Sequence, residues 1–216
     1  MQIQEILSRT SIWSILLPLF TGIICLRRLG KDSQIILGIV ALATIPQILR
    51  AFISSGPVLN MVYNAYTICE VILYCLLFSD KINHYNRNRI FIITAMVILF
   101  CNVVLTICNG LQERFISELV CLDNIAYTVW LLLIILDQYD AEDKGIDPNM
   151  PFFWYLLGLL LYAPCTMLIY SLWSYIKNHP DSALNQLWVI QYIFNITMYV
   201  LFSVGFLHEC KRHADR

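Results

Sequence analysis

Charge is what this chain has least of. Lys, Arg, Asp and Glu together make up 13% of its 216 residues, about half the share usual in soluble domains. The formal net charge is −1, so no general electrostatic pull toward nucleic acid exists. Histidine is also scarce. His84, His179, His208 and His213 all fall in loops or at the ends of apolar runs, so no zinc site with His and Asp ligands is expected inside a bilayer. There is no Gly-x-Ser-x-Gly turn, no GxGD-like aspartyl motif, no GxGxxG and no P-loop. The last apolar run holds no lysine for a retinal Schiff base. These absences predict a protein that is not an enzyme and needs no cofactor and no metal.

Two further absences concern processing. The segment MQIQEILSRTSIWSILLPLF lacks a basic n-region, and no small-x-small cleavage site follows it. It is therefore expected to be a retained helix, not a signal peptide, and no lipidation motif is present. Eight cysteines occur, but most lie in apolar runs, where they read as small apolar residues. No disulfide framework is expected. Cys108 and Cys121 form one pair that could meet across a hairpin.

What the chain does have is apolar length. Apolar residues are 59% of the total and the mean hydropathy is +0.67. A helix needs roughly 20 residues to cross ~30 Å of hydrocarbon. Seven stretches meet or approach that length, at residues 10–27, 34–54, 58–79, 89–108, 115–136, 151–174 and 184–208. The expected fold is all-α: a single polytopic seven-helix bundle over residues 1–216, with the lipid bilayer as its solvent.

Positive charge collects on the cytoplasmic side of short loops. Arg27, Arg28, Lys31, Lys81, Arg87, Arg89, Lys144, Lys211, Arg212 and Arg216 fall on one side of seven alternating spans; Arg9, Arg50, Arg114 and Lys177 fall on the other. That bias predicts an outer N-terminus and an inner C-terminus. The longest inner connection, residues 137–151, carries Asp137, Asp140, Glu142, Asp143 and Asp147. It reads as a solvated linker or as a docking patch for a basic partner.

The polar residues inside the spans carry what function is legible. Glu70 lies near mid-depth of the third span, where a charge costs ~2.5–3.5 kcal/mol and intramembrane acids usually face the bundle interior. Tyr63, Tyr66, Thr67 and Tyr74 fall within about 60° of it on a helical wheel. The seventh span carries Trp188, Gln191, Tyr192, Asn195 and Tyr199 on one face, and the fifth carries Asp123, Tyr127 and Trp130. Asn102 is on the fourth. Gln47, Arg50 and Glu118 lie toward the outer surface. The stripes are expected to face one another around an outward-opening pocket bounded by Tyr63, Asn64, Tyr66, Glu70, Asp123, Tyr127, Gln191 and Asn195. Two acids at similar depth with no basic partner predict that one or both are protonated at neutral pH. The competing reading is that Asn, Gln and Tyr merely hold helices together, at ~0.6 kcal/mol or more each. Pro18, Pro46 and Pro164 are intramembrane and serve as static kinks or as hinges. Trp154, Tyr155, Trp173 and Tyr175 read as interfacial anchors.

A faint internal symmetry lays spans one to three over spans five to seven, with the fourth as connector. ALATIP (41–46) then falls over LLLYAP (159–164), so Pro46 and Pro164 coincide.

The runs PFFWYLLGLLLYAPCTMLIY, LNQLWVIQYIFNITMYVLFSVGFL and YNAYTICEVILYCLLF together resemble a group of small seven-helix membrane proteins of Bacteroidetes-type bacteria, some encoded beside two-component signalling genes. That resemblance implies a bacterial inner membrane and a signalling setting, and carries no catalytic residues over. A second, weaker similarity is to the sugar-transporting and PQ-loop families, which have a three-plus-one-plus-three plan. Pro46-Gln47, Pro164, Asn64 and Asn195 match those families in kind, though the second repeat has Pro164-Cys165 in place of a Pro-Gln pair. The expected function is a receptor-like sensor that binds a small polar molecule and signals to a cytoplasmic or membrane partner. The alternative is a carrier for a small polar or protonatable solute.

Overall fold

The computed structural model describes residues 2–53, 56–142, 147–178 and 186–214. Every regular element among them is helical, and seven stretches are long and apolar enough to cross a membrane. Apolar helices of this length suit a multi-pass integral membrane protein in a lipid bilayer, because each satisfies its own backbone hydrogen bonds. Asp143, Lys144, His179, Arg216 and the first two residues of the expected 184–208 span lie outside the described residues.

The first span is two helices, Gln2–Ser14 and Leu16–Cys25, ending in the 3-10 turn Leu26–Arg28. The others are Lys31–Phe52, Pro57–Ser79, Tyr85–Asn109, Ser117–Glu142, Pro151–Ser171 and Leu187–Ala214. A short helix, Trp173–Asn178, follows the sixth span. Several bounds differ from expectation. The first span begins earlier than residue 10, because Glu5 and Arg9 pair across one helical turn at 2.8 Å and do not interrupt it. The sixth ends at Ser171, where Ser171 Oγ donates to the Leu168 carbonyl and Leu172 leaves helical geometry.

The prolines act unequally. Pro18 has no N–H for the Ser14 carbonyl, and the first span breaks at Ile15. Pro46 and Pro164 sit inside continuous helices. Gly56 (φ 138°) and Gly110 (φ 70°) supply the left-handed backbone that starts the third span and ends the fourth.

The seventh span is central: the fifth and seventh flank the sixth, and both halves of the first pack on the seventh. Close approach relies on small residues. A Cβ on Gly205 would lie 2.4 Å from the Tyr155 ring, and one on Gly22 would lie 2.5 Å from Leu37. Tyr155 is fully buried, and its hydroxyl lies 2.8 Å from Ser33 Oγ. It ties the sixth span to the second and is not an interfacial anchor. The fourth span is the least buried of the seven. It sends Met96, Phe100, Val103 and Ile107 outward, as a lipid-facing helix does.

Two ends of the bundle are distinct. At one, Lys31 pairs with Asp80 at 2.5 Å, and Lys81 with Asp32. Arg87 pairs there with Asp137 and Asp140. At the other, Arg114 pairs with Glu118 at 2.8 Å. The close-packed core lies toward the Arg87 end, around Val71, Phe78, Trp130, Ile134, Tyr155, Phe202 and Phe206, all at most 1% exposed.

Asp137 corrects the reading of the 137–151 connection. The fifth span continues to Glu142, and Asp137 is buried within it. Its carboxylate accepts the Asn83 N–H at 2.8 Å and the His84 N–H at 3.0 Å. It thereby caps the fourth span from a neighbouring helix, where His84 offers no side-chain cap of its own. Asp147 turns inward on its own loop, accepting the Asn149 N–H at 2.9 Å.

Candidate functional site

The half of the bundle toward the Arg50 end holds a cavity of ≈ 550 Å3, a size suited to a small organic ligand. The third and seventh spans supply the most lining residues, five each. From the third come Tyr63, Tyr66, Thr67, Glu70 and Tyr74; from the seventh, Trp188, Gln191, Tyr192, Asn195 and Tyr199. The fifth contributes Val120, Asn124 and Tyr127, and the sixth Leu159, Tyr162 and Tyr170. Ala43, Pro46, Gln47 and Arg50 of the second span and Ser8, Ser11 and Ile12 of the first also line it. Eight of the chain's twelve tyrosines line this one space.

The third span explains itself by helical angle. Taking Tyr63 as zero, Tyr66, Thr67, Glu70 and Tyr74 fall at about −60°, +40°, −20° and +20° at 100° per residue. All five line the cavity. Asn64 lies about 100° away and does not. Its Nδ2 donates to the Leu111 carbonyl at 3.0 Å and the Arg114 carbonyl at 2.9 Å, and its Oδ1 accepts the Ile116 N–H at 3.1 Å. Asn64 is a buried clamp on the 110–116 connection, not a ligand group.

Asp123 is also outside the cavity lining. The fifth span points the direction midway between Asn124 and Tyr127 at the cavity, about 70° round from Asp123. Asp123 turns instead to the fourth span, where Asn102 Nδ2 donates to its Oδ1 at 2.8 Å. Both residues are buried. Trp130, on the same stripe, donates to Thr94 Oγ1 at 2.8 Å within the core. Glu118 lies with Arg114 at the bundle end.

Glu70 is the one acid in the lining. Tyr66 donates to its Oε1 at 2.7 Å. Among the described residues no lysine or arginine pairs with it. Tyr74, Tyr127, Tyr162 and Tyr199 stand within electrostatic range of the carboxyl. The acid therefore shares the cavity with five tyrosines drawn from four spans. Tyr74 and Tyr127 have ring centroids 4.6 Å apart. Beneath them Phe78, Trp130 and Phe91 continue the aromatic packing toward the Arg87 end, closing the cavity floor.

The mouth is aromatic as well. Phe115 meets Tyr63 at 5.9 Å and Trp173 at 5.7 Å, and Tyr170 stacks on Trp173 at 5.6 Å. Trp173 is therefore part of the cavity rim as well as a residue of the bundle end. With the buried Ile176 it roofs the space from the short helix after the sixth span. Arg50 is exposed at this mouth beside Tyr63 and is the one cation in the lining.

Gln47 Oε1, Asn124 Oδ1 and Tyr127 OH are buried lining atoms without a hydrogen-bond partner among the described residues. Such atoms favour a ligand with hydrogen-bonding groups. Asn195 has a partner, donating from Nδ2 to Ser11 Oγ at 2.8 Å and joining the seventh span to the first. Gln191 lies beside the hydroxyls of Tyr162 and Tyr170.

Of the eight residues expected at the site, the structure brings Tyr63, Tyr66, Glu70, Tyr127, Gln191 and Asn195 together and leaves Asn64 and Asp123 out. Of the three prolines, Pro46 lines the cavity; Pro18 and Pro164 do not. Sequence reasoning missed Tyr162, Tyr170 and Asn124; Arg50, expected toward the outer surface, is exposed at the mouth. The first two lay in plain view: Tyr155, Tyr162 and Tyr170 step by seven and eight along one side of the sixth span. All eight cysteines are free thiols; Cys121 donates to the Met167 carbonyl at 3.7 Å and does not bridge to Cys108. Among the described residues no group of three or more His, Cys, Asp or Glu converges to hold a metal. Comparison with family models, curated proteins and solved structures returns no match.

Proposed function

We propose that this chain is a receptor-like membrane sensor that binds a small polar organic ligand in the cavity and signals to a partner. The observation that carries the reading is a single-ended cavity. It has polar groups converging at mid-depth, aromatic walls, and a close-packed core between its floor and the Arg87 end. The proposal includes an outer N-terminus, so that the mouth faces the exterior of a bacterial inner membrane. The resemblance to small seven-helix proteins of Bacteroidetes-type bacteria belongs to the same reading. The partner would meet the Arg87 end. Asp137 and Asp140 are already paired with Arg87, so the acidic connection offers it less free charge than its composition suggests.

A carrier is the second reading, and Pro46 in the cavity wall favours it. A proline there frees the Leu42 carbonyl and loosens the helix where a rocking motion would bend it. It sits with the three-plus-one-plus-three plan, in which the peripheral fourth span is the connector. Purified protein in liposomes separates the two. Counterflow across a panel of polar solutes at two pH values is expected to show binding without flux. Saturable flux abolished by Glu70→Gln would replace the sensor with a carrier.

A further inference from the structure

We infer that the cavity takes a small organic monocation, its ammonium seated on Glu70 among the tyrosines that line the same space. The inference rests on the ligand-binding reading of the cavity and deepens it. An ionised carboxylate withdrawn from water needs a counter-charge or a proton. Glu70 has neither a lysine nor an arginine partner among the described residues; Tyr66 supplies one hydrogen bond, to Oε1. Tyr66, Tyr74, Tyr127, Tyr162 and Tyr199 line the same space, and the face of an aromatic ring attracts a cation. A carboxylate among several tyrosine rings is a combination that can recognise an alkylammonium group by charge and by shape.

Two alternatives fit less well. A bare divalent ion prefers several oxygen ligands at fixed geometry, whereas one carboxylate lines the cavity and the nearby Asp123 is turned to Asn102. A sugar would use hydrogen-bonding groups spread over the walls, and it would supply no counter-charge, so Glu70 would have to keep a proton. The mouth narrows the class further. Tyr63, beside Arg50, and Glu70 lie on one face of the third span, seven residues or ~10 Å apart. Arg50 thus sets a positive charge one ligand length from the floor. A second ammonium on the ligand would meet it, so a monoamine is preferred over a polyamine.

The test uses the full chain in lipid nanodiscs, reading binding from Trp fluorescence, since Trp173 and Trp188 line the mouth. Choline and phenethylamine are titrated beside their neutral isosteres, dimethylbutanol and phenylethanol, and beside spermidine, glucose and a broad set of polar metabolites. The two ammonium compounds are expected to bind at least ~10-fold more tightly than their isosteres. Glu70→Gln should erase that difference. Tyr199→Phe should keep it, because the ring face remains; Tyr199→Leu should reduce it. These two also serve if Glu70→Gln does not fold. Equal binding of the isosteres, or preference for glucose or spermidine, would overturn the monocation and leave the ligand-binding cavity standing. Silence across the whole set would overturn both.

Discussion

At the scale of single residues, Asn64 and Asp123 separate structural from functional polarity. Asn64 holds three backbone groups of a connection, each bond contributing ~0.5–1.5 kcal/mol net. Asn64→Leu is expected to destabilise by ~2–4 kcal/mol, read as a lower thermal midpoint in detergent, with the ligand preference of the surviving protein unchanged. Asn102→Leu is expected to cost ~1–3 kcal/mol by stripping Asp123 of its donor, whereas Asp123→Asn stays close to the wild-type midpoint. A loss of ligand binding in Asp123→Asn, with the fold intact, would return Asp123 to the site. Gly205→Ala should cost ~1–3 kcal/mol, because the added methyl meets a Tyr155 ring already fixed against Ser33. The third- and seventh-span stripes were legible because both turn a whole polar face inward, and helical angle alone orders them. The fifth span was not: Asp123, Tyr127 and Trp130 share a stripe by spacing, yet the helix divides them between a neighbour, the cavity and the core. Only the rotation of that helix, set by its packing, decides the division.

At the scale of elements, helix ends are held by their neighbours. Asp137 caps the fourth span from the fifth, so Asp137→Ala should lower the midpoint by the equivalent of ~1–3 kcal/mol; hydrogen exchange should rise first at residues 83–88. Reading residues 137–151 as one linker failed for a physical reason. A carboxylate at a helix end looks the same in sequence whether it faces water or another helix's free N–H groups. The paired contacts Lys31–Asp80 and Asp32–Lys81 tie the second span to the third. Asp32→Lys should weaken this end, and adding Lys81→Asp should restore it. The hydrogen bond and charge of Lys31 hold the Asp80 carboxyl below its ordinary range. Its contribution is therefore present above about pH 4 and fades as pH falls through the lowered value. Asp80→Asn should flatten a small part of the acid limb of a midpoint-versus-pH curve.

At the scale of the whole molecule, the seven spans were plain in the sequence, because roughly 20 apolar residues in a row have one stable environment. The division of the bundle into a dense half and a hollow half was not, since both halves draw on the same residue types. Orientation is tested by reporter fusions: Asn83 should report cytoplasm and Asn178 the exterior, and a cytoplasmic signal at Asn178 would reverse the bundle. The dense half has an electrical consequence. A membrane potential falls mainly across material of low polarisability, and moving one elementary charge through all of it is worth ~2.3 kcal/mol per 100 mV. Here that material is the aromatic layer of Phe78, Phe91 and Trp130 beneath Glu70. A hydrated cavity above it would sit near the potential of the compartment it opens to. A charge arriving at Glu70 from the mouth therefore crosses little of the field, and its occupancy should stay constant when vesicles are polarised in either direction.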